Sequence, residues 1–511
     1  MQFTEIGFAV FLTLVFTVYW FVVNRSLKLQ NLFLLAASYL FYGWWDWRFL
    51  GLIALTTVTT YVSALFSRTR YGRLLTTANI VLNVGILVLF KYLNFFAENL
   101  QRLFSAFGFN LDWFTIDVLL PVGISFYTFQ AISYSVDAYK GKVEPCRDFV
   151  SFATFITYFP QLVAGPIERA SQLLTQICRP RRWNEERAVR GLRMILFGVM
   201  KKVCVADMAG LYADRIFSGD LSDPLMCLAG GVLFSLQIYC DFSAYSEIAR
   251  GVSALFGIEL MANFRFPYFS KNVLDFWQRW HISLMLWFRD YVYIPLGGNR
   301  HGAVRTALNS LIVFLLSGLW HGAAWNFIIW GLYWGVVYMI CKSLLGMKRS
   351  EGNPVATDFS SIALTFGVVV FGFYIFRCDS FSQIAAGFAN AWIYLLCFGG
   401  LWLLGKVPVF CMKRVGRSVG KVIRYVLAAV IAAGFIAACM CLLPGWPVLF
   451  KGWWIVPLAT VFAVEWRNRS CDYPMENVPR RVWARRTFYI VLMFMVLLSE
   501  PVDMSFIYFQ F

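Results

Sequence analysis

The apolar positions of this chain come in blocks rather than stripes. Continuous apolar runs occupy residues 5–23, 30–45, 49–67 and 74–93, and they resume at 305–320, 322–341, 359–377, 385–405, 425–444, 452–466 and 487–499. A helix of about 20 apolar residues crosses a bilayer. The eleven blocks therefore predict eleven helices at membrane depth, and the mixed stretch between them predicts shorter or re-entrant pieces. Basic residues gather between blocks: Arg25 and Lys28, then Arg68, Arg70 and Arg73, then Lys342, Lys348 and Arg349. Two further basic groups lie at 406–424 and 467–486. Lys and Arg collect on the cytoplasmic side. Placing every group there puts both termini outside, and neither MQFTE nor SEPVDMSFIYFQF carries Lys or Arg. The N-terminus has no basic leader and no small-residue cleavage site, so the first block is read as a retained span.

The middle of the chain follows a different pattern. Residues 179–202 are basic and amphipathic and predict an interfacial helix on the cytoplasmic face. In residues 115–140, Pro121 and Gly123 interrupt an apolar run, and polar side chains follow. Broken helices persist at membrane depth only where protein or a cavity surrounds them. The middle is thus expected to line an internal cavity walled by the outer blocks. The fold class expected is an all-α polytopic membrane protein. It forms one integral membrane domain over residues 1–511, with N-terminal helices in 1–110, a core in 111–342 and C-terminal helices in 343–511.

Composition agrees and excludes other classes. Apolar residues make up 59% of the chain and charged residues 14%, against roughly 25% charged in soluble domains. No polar stretch is long enough to build a soluble catalytic domain. The net charge of +17 is assigned to cytoplasmic loops and anionic headgroups rather than to nucleic acid. The twelve cysteines form no C-x-x-C pair and read as small apolar fillers.

Ionisable residues inside such a chain are functional candidates. They concentrate in three segments. Residues 235–251 hold Gln237, Asp241 and Glu247; residues 272–300 hold Arg279, His281, Arg289, Asp290 and Asn299; residues 315–331 hold His321. Each has a purely structural alternative. Asp241 pairs with an arginine to join helices, or it faces a cavity. Arg279, Arg289 and Asp290 form an interfacial ion-pair network, or they orient a ligand. Gly318 and Gly322 around His321 read as G-x-x-x-G, the pattern of close helix approach. His301 beside Arg300 reads as a surface residue. His281 and His321 stand apart because each directly follows a tryptophan, Trp280 or Trp320, in membrane-type surroundings. No serine elbow competes with them, and the histidine spacing does not suit zinc. A neutral imidazole accepts a proton from a hydroxyl near neutral pH. That chemistry suits acyl transfer from a thioester to an alcohol.

FWQRWHISLMLWFRDYVYIPLGGNR, followed by LLSGLWHGAAWNFIIWG, closely resembles the membrane-bound O-acyltransferase (MBOAT) superfamily. The resemblance is to its bacterial branch of alginate and peptidoglycan O-acetylation and D-alanyl transfer proteins. LLPVGISFYTFQAISYSVDAY, YFPQLVAGPIERASQL, VMKKVCVADMAG, QIYCDFSAYSEIARG and the C-terminal FIYFQF resemble the same branch. The length is closer to the alginate and peptidoglycan members. The resemblance implies a ring of membrane helices around a central tunnel. His321 falls on the invariant histidine and His281 on the second functional one. Gln237, Asp241, Arg279, Trp280, Arg289, Asp290, Asn299 and Trp320 are expected to line or orient the tunnel. No bound cofactor or metal is implied. The donor implied is a cytoplasmic acyl thioester, acetyl-CoA or an acyl carrier protein. The acceptor implied is an exported polysaccharide or a periplasmic SGNH-type partner, and the location is the bacterial inner membrane. Ala244 stands where many relatives have glycine, Glu247 where they have aspartate, and Arg250 is an added charge. The rival reading is a transporter or flippase of an activated acyl group or glycan that makes no bond. Many transporters carry two related halves, and this sequence shows none.

Overall fold

The computed structural model describes residues 2–109, 121–348, 350, 352–403, 454–499, 502 and 504–507, and every regular element among them is helical. The N-terminal blocks form α1 Ile6–Thr17, extended by a π-helical turn Val18–Val22, then α2 Leu27–Gly43, α3 Leu50–Leu65, α4 Gly72–Lys91 and α5 Leu93–Ala106. The middle contains α6 Ile124–Tyr139 and the short α7 Phe149–Thr157, α8 Phe159–Leu162 and α9 Leu173–Ile177. It continues with α10 Glu185–Met200, α11 Asp207–Phe217 and α12 Pro224–Leu255, and ends with α13 Val273–Arg279 and α14 Ile282–Phe288. The C-terminal part contains α15 Gly302–His321, α16 Trp325–Met339, α17 Phe359–Arg377, α18 Phe381–Ala389 and α19 Ala391–Tyr394. The last two are α20 Ile455–Arg467 and α21 Val482–Leu498.

Among the described residues, six helices are long and apolar enough to cross a membrane, or seven if the segments bent by 50° around Asn390 form one broken span. The expected number was eleven. The first block becomes a helix of 17 residues, Ile6–Val22. The block at 425–444 lies outside the described residues, as does the basic group at 406–424.

Two long helices organise the centre. α12 has 32 residues, or about 48 Å at 1.5 Å per residue. Asp223 caps its first turn through Leu225 N at 2.8 Å, and Pro224 fills the first helical position, where no N–H is needed. At its other end the chain needs outside donors for the last carbonyls. Tyr19 Oη donates to Phe256 O and Trp20 Nε1 to Leu255 O, both at 3.0 Å.

α10 and α11 are joined by a π-helical stretch, Lys201–Ala206, so one unbroken helical path runs from Glu185 to Phe217. It packs lengthwise on α12. The helix expected at 179–202 is present as α10 and amphipathic: Ala188, Gly191, Met194, Phe197 and Gly198 turn inward, while Glu185, Glu186, Val189 and Leu192 stay exposed. The approach is backbone to backbone. A Cβ added at Gly191 would sit 2.6 Å from Gly251 O, and one at Gly251 would sit 2.6 Å from Gly191 O.

The break expected at Pro121 and Gly123 is present. Gly123 adopts φ +74°, and α6 begins at Ile124 and is buried along nearly its whole length. A Cβ at Gly123 would lie 2.7 Å from Leu162 O. Only glycine meets both conditions at no steric cost.

Gly251→Ala should force α10 and α12 apart and destabilise the protein by about 1–3 kcal/mol, the usual range for overpacking. A lowered Tm in detergent checks this; an unchanged Tm would show that the contact at Gly191 has slack.

Candidate active site

The helix carrying His321 stops there. Gly322 is extended (φ −169°, ψ 157°), and α16 begins only at Trp325. The last carbonyls of α15 have no following turn to bond, so another helix supplies the donors. Lys91 Nζ, at the end of α4, donates to Trp320 O at 2.7 Å and His321 O at 2.8 Å. Tyr92 Oη donates to Leu319 O at 2.7 Å. The imidazole of His321 is buried and meets three rings edge-on: Trp320 at 4.9 Å, Trp330 at 5.2 Å and Phe376 at 5.2 Å between centroids. Gly318 and Gly331 let α15 and α16 cross with backbone contact; a Cβ at Gly318 would collide with Phe327 O. The glycines therefore do what the structural alternative required of them, while the histidine they flank faces inward.

His281 occupies the corner between α13 and α14 with φ +45° and ψ 52°. Left-handed backbone is uncommon for a residue with a side chain, so the surroundings must hold it. Ile282 N donates to Asn263 O at 2.9 Å, and Ser283 Oγ donates to Asn263 Oδ1 at 2.5 Å. Ile167 N donates to Ser283 Oγ at 3.0 Å. The neighbouring Glu168, in the same loop, is fully buried and accepts from Met261 N at 2.6 Å. Burial pushes its carboxyl up to about 8, against that donation and the charges of Arg250 and Arg169. Two loops thus buttress the corner. The His281 ring lies 4.8 Å from Phe242 and 5.8 Å from Trp320.

One indole joins the two histidines. Trp320 packs on both imidazoles and on Phe126 and Phe129 of α6. His281 and His321 lie 40 positions apart, and the chain between them is folded so that both rings reach the same side chain.

The other expected tunnel residues separate into groups. Arg289 and Asn299 line a cavity of about 520 Å³ together with Gln278, Ile282, Ser310 and Lys342. Ile282 directly follows His281, so the cavity wall adjoins the histidine corner. Asp290 bridges Arg169 at 3.2 Å and Arg289 at 2.8 Å. Arg279 pairs with Asp275 at 2.8 Å and donates to Arg265 O. Trp280 turns from the histidine pair toward Phe264, Phe276 and Phe373. Gln237 packs against Gly210 of α11.

Asp241 stitches helices, and its cation is a lysine rather than an arginine. Lys202 Nζ lies 2.9 Å from Asp241 and 2.7 Å from Asp207. Asp241 also accepts from Ile507 N at 2.7 Å, which ties down the C-terminal segment. The adjacent Lys201 binds Glu247 at 3.0 Å and Glu465 at 2.7 Å, and Tyr239 Oη donates to Glu465 at 2.8 Å. A π-helical turn often marks a functional or strained position; here it presents two neighbouring lysines to four carboxylates. The sequence reading missed Lys91, Tyr92, Lys201 and Glu465. Lys91 had a visible signal, since it is the sole charged residue in the block 74–93. Glu465 had none, because its partner lies 264 residues away.

The fold defines a multi-pass helical membrane protein with two buried imidazoles that share one indole. Comparison with known proteins names the class. Residues 146–384 match the membrane-bound O-acyltransferase family. The chain is 39% identical over 360 residues to a probable alginate O-acetylase AlgI of Azotobacter vinelandii, covering 69% of this chain and 70% of that protein. It is 37% identical over 389 residues to the corresponding protein of Pseudomonas aeruginosa, covering 74% and 72%. It is 34% identical over 390 residues to a peptidoglycan O-acetyltransferase of Helicobacter pylori, covering 69% and 72%. The chain belongs to the membrane-bound O-acyltransferase family. It is an O-acyltransferase rather than a transporter.

Lys201→Met leaves Glu247 and Glu465 without their shared cation. Breaking a buried pair from one side costs about 3–5 kcal/mol, so Tm in detergent should fall steeply. Lys201→Met combined with Glu465→Gln should recover part of the loss. Equal Tm for Lys201→Met and the unmodified protein would mean that the network contributes no stability.

Proposed function

We propose that this enzyme moves an acetyl group from a cytoplasmic thioester to a hydroxyl on the far side of the bacterial inner membrane. The observation that carries the reading is the pair of buried imidazoles sharing the Trp320 indole. His321 is the general base for the acceptor hydroxyl. His281 polarises the thioester carbonyl or holds the acceptor. The hydroxyl oxygen bonds to the acyl carbon, the carbon–sulfur bond breaks, and the proton taken by His321 passes to the departing thiolate. Acetyl-CoA and an acyl carrier protein both supply such a thioester.

The cavity lined by Arg289, Asn299 and Lys342 favours a donor that enters beside His281. Its two cations suit a phosphate-bearing donor, and its apolar floor at Trp277 and Phe314 suits the acyl arm. Lys342 belongs to a basic group assigned to the cytoplasm, which agrees with a donor from that side. Phe3 and Phe506 both stack on Tyr245 at 4.5 Å. That contact supports placing both termini on one side, and the basic loops favour the extracytoplasmic one.

The acceptor is an exported polysaccharide, reached directly or through a periplasmic SGNH-type partner. The alginate and peptidoglycan modifying relatives support a glycan as final acceptor.

His321→Ala should insert and fold, because a methyl group fits among Trp320, Trp330 and Phe376 without a new clash. O-acetylation should fall by at least about 100-fold, as expected for loss of a general base. Acetate released by alkali from exported polysaccharide, measured at equal protein level, reads this. Normal acetate content in the variant would overturn the proposed mechanism.

A further inference from the structure

We infer that Lys91 and Tyr92 are positioning residues for His321: together they fix the end of its helix and the indole it shares with His281. The inference rests on the reading of His321 as the base. Three consecutive carbonyls, of Leu319, Trp320 and His321, receive their donors from two consecutive residues of α4. These are the carbonyls that the break at Gly322 leaves without intrahelical partners. The ammonium stands at the negative end of the α15 dipole, where a cation is favoured.

A structural cap alone does not explain the choice of lysine. Tyr92 shows that a neutral hydroxyl fills one of these carbonyls equally well. A charge at membrane depth is expensive to place, and Lys91 is the sole charge of its block. What the lysine adds is a grip on two adjacent carbonyls at once, including that of His321 itself. Its Nζ also lies 5.9 Å from the centre of the Trp320 ring, within reach of a cation–π contact. One side chain therefore restrains the main chain of His321 and the indole that touches both imidazoles.

The far side of the break is held by the same part of the chain. α5 follows Tyr92 directly, and its Asn99 Oδ1 accepts from Trp325 Nε1 at 3.0 Å, while Phe95 packs on Trp325. Residues 91–99 thus grip the chain before and after the break, and His321 has little freedom to swing. A base must sit within hydrogen-bond reach of the hydroxyl it deprotonates, and small misplacements there lower the rate steeply.

The test uses the full chain in proteoliposomes with acetyl-CoA as the donor probe, alginate oligosaccharides as the acceptor and release of CoA thiol as the readout. Lys91→Met should lower turnover by about 10- to 100-fold, with KM for acetyl-CoA within about twofold of the unmodified value. Lys91→Arg keeps the charge and two donors and should restore most of the turnover. Tyr92→Phe should lose less than Lys91→Met. Full turnover in Lys91→Met, a loss confined to KM, or a Lys91→Arg protein as slow as Lys91→Met would each overturn the inference. A second readout separates this from the function itself. Carbethoxylation by diethyl pyrocarbonate, followed residue by residue by mass spectrometry, should become faster at His321 in Lys91→Met and stay constant at the exposed His301. No thiol release from the unmodified chain would count against this pairing of donor and acceptor. In that case an unchanged His321 carbethoxylation rate in Lys91→Met would still overturn the positioning role.

Discussion

A helix that stops inside an apolar medium frees carbonyls that water cannot take up. Much of this structure can be read as the answer to that constraint. α12 ends against the hydroxyl of Tyr19 and the indole N–H of Trp20. α15 ends against Lys91 and Tyr92. The corner at His281 is held by Asn263 and Ser283. Each break places a side chain where a continuous helix would not, and the two central histidines both occupy such breaks. Both imidazoles sit where the backbone is hard to satisfy, and the satisfying groups come from distant parts of the chain.

The second organising feature is charge held within the core. Lys201 and Lys202 are neighbours in sequence, yet they reach different carboxylates: Glu247 and Glu465 for one, Asp207 and Asp241 for the other. The π-helical turn turns the two side chains to separate partners. The network ties α11, α12 and α20 together and, through Asp241 and Ile507, anchors the C-terminal segment. Buried ion pairs add little net stability but are costly to break from one side. Their effect here is to fix which helices meet. Phe242, the residue after Asp241, then faces His281.

The resemblance to acyltransferases and the geometry account for different residues. The motif around WHISL and the motif around LWHGA pointed to His281 and His321. The structure shows why each carries a tryptophan before it, and the reasons differ. Trp320 lies on both imidazoles. Trp280 turns the other way, into the aromatic packing of α12, α13 and α17. The same dipeptide puts its indole on both imidazoles in one case and among other aromatic rings in the other. No local pattern distinguishes the two.

The sequence by itself determined the class, because a chain with 14% charged residues and blocks of apolar residues has no stable fold in water. It also marked Gly123 as the point where a buried helix begins and the two imidazoles as candidates, since an imidazole in an apolar block is visible without any fold. The number of spanning helices was not legible. Block length alone does not fix the count, since a 17-residue helix such as Ile6–Val22 falls at the short end of the spanning range. The amphipathic pattern at 179–202 showed a helix there, but not that it continues through a π-helical turn to Phe217 and packs along α12. Only tertiary structure decided that Lys91 holds the His321 helix, that Lys201 meets Glu465 and that Gln237 packs on Gly210. Those contacts join residues far apart in the chain, and hydrogen bonds and ion pairs over such separations leave no trace in periodicity or composition.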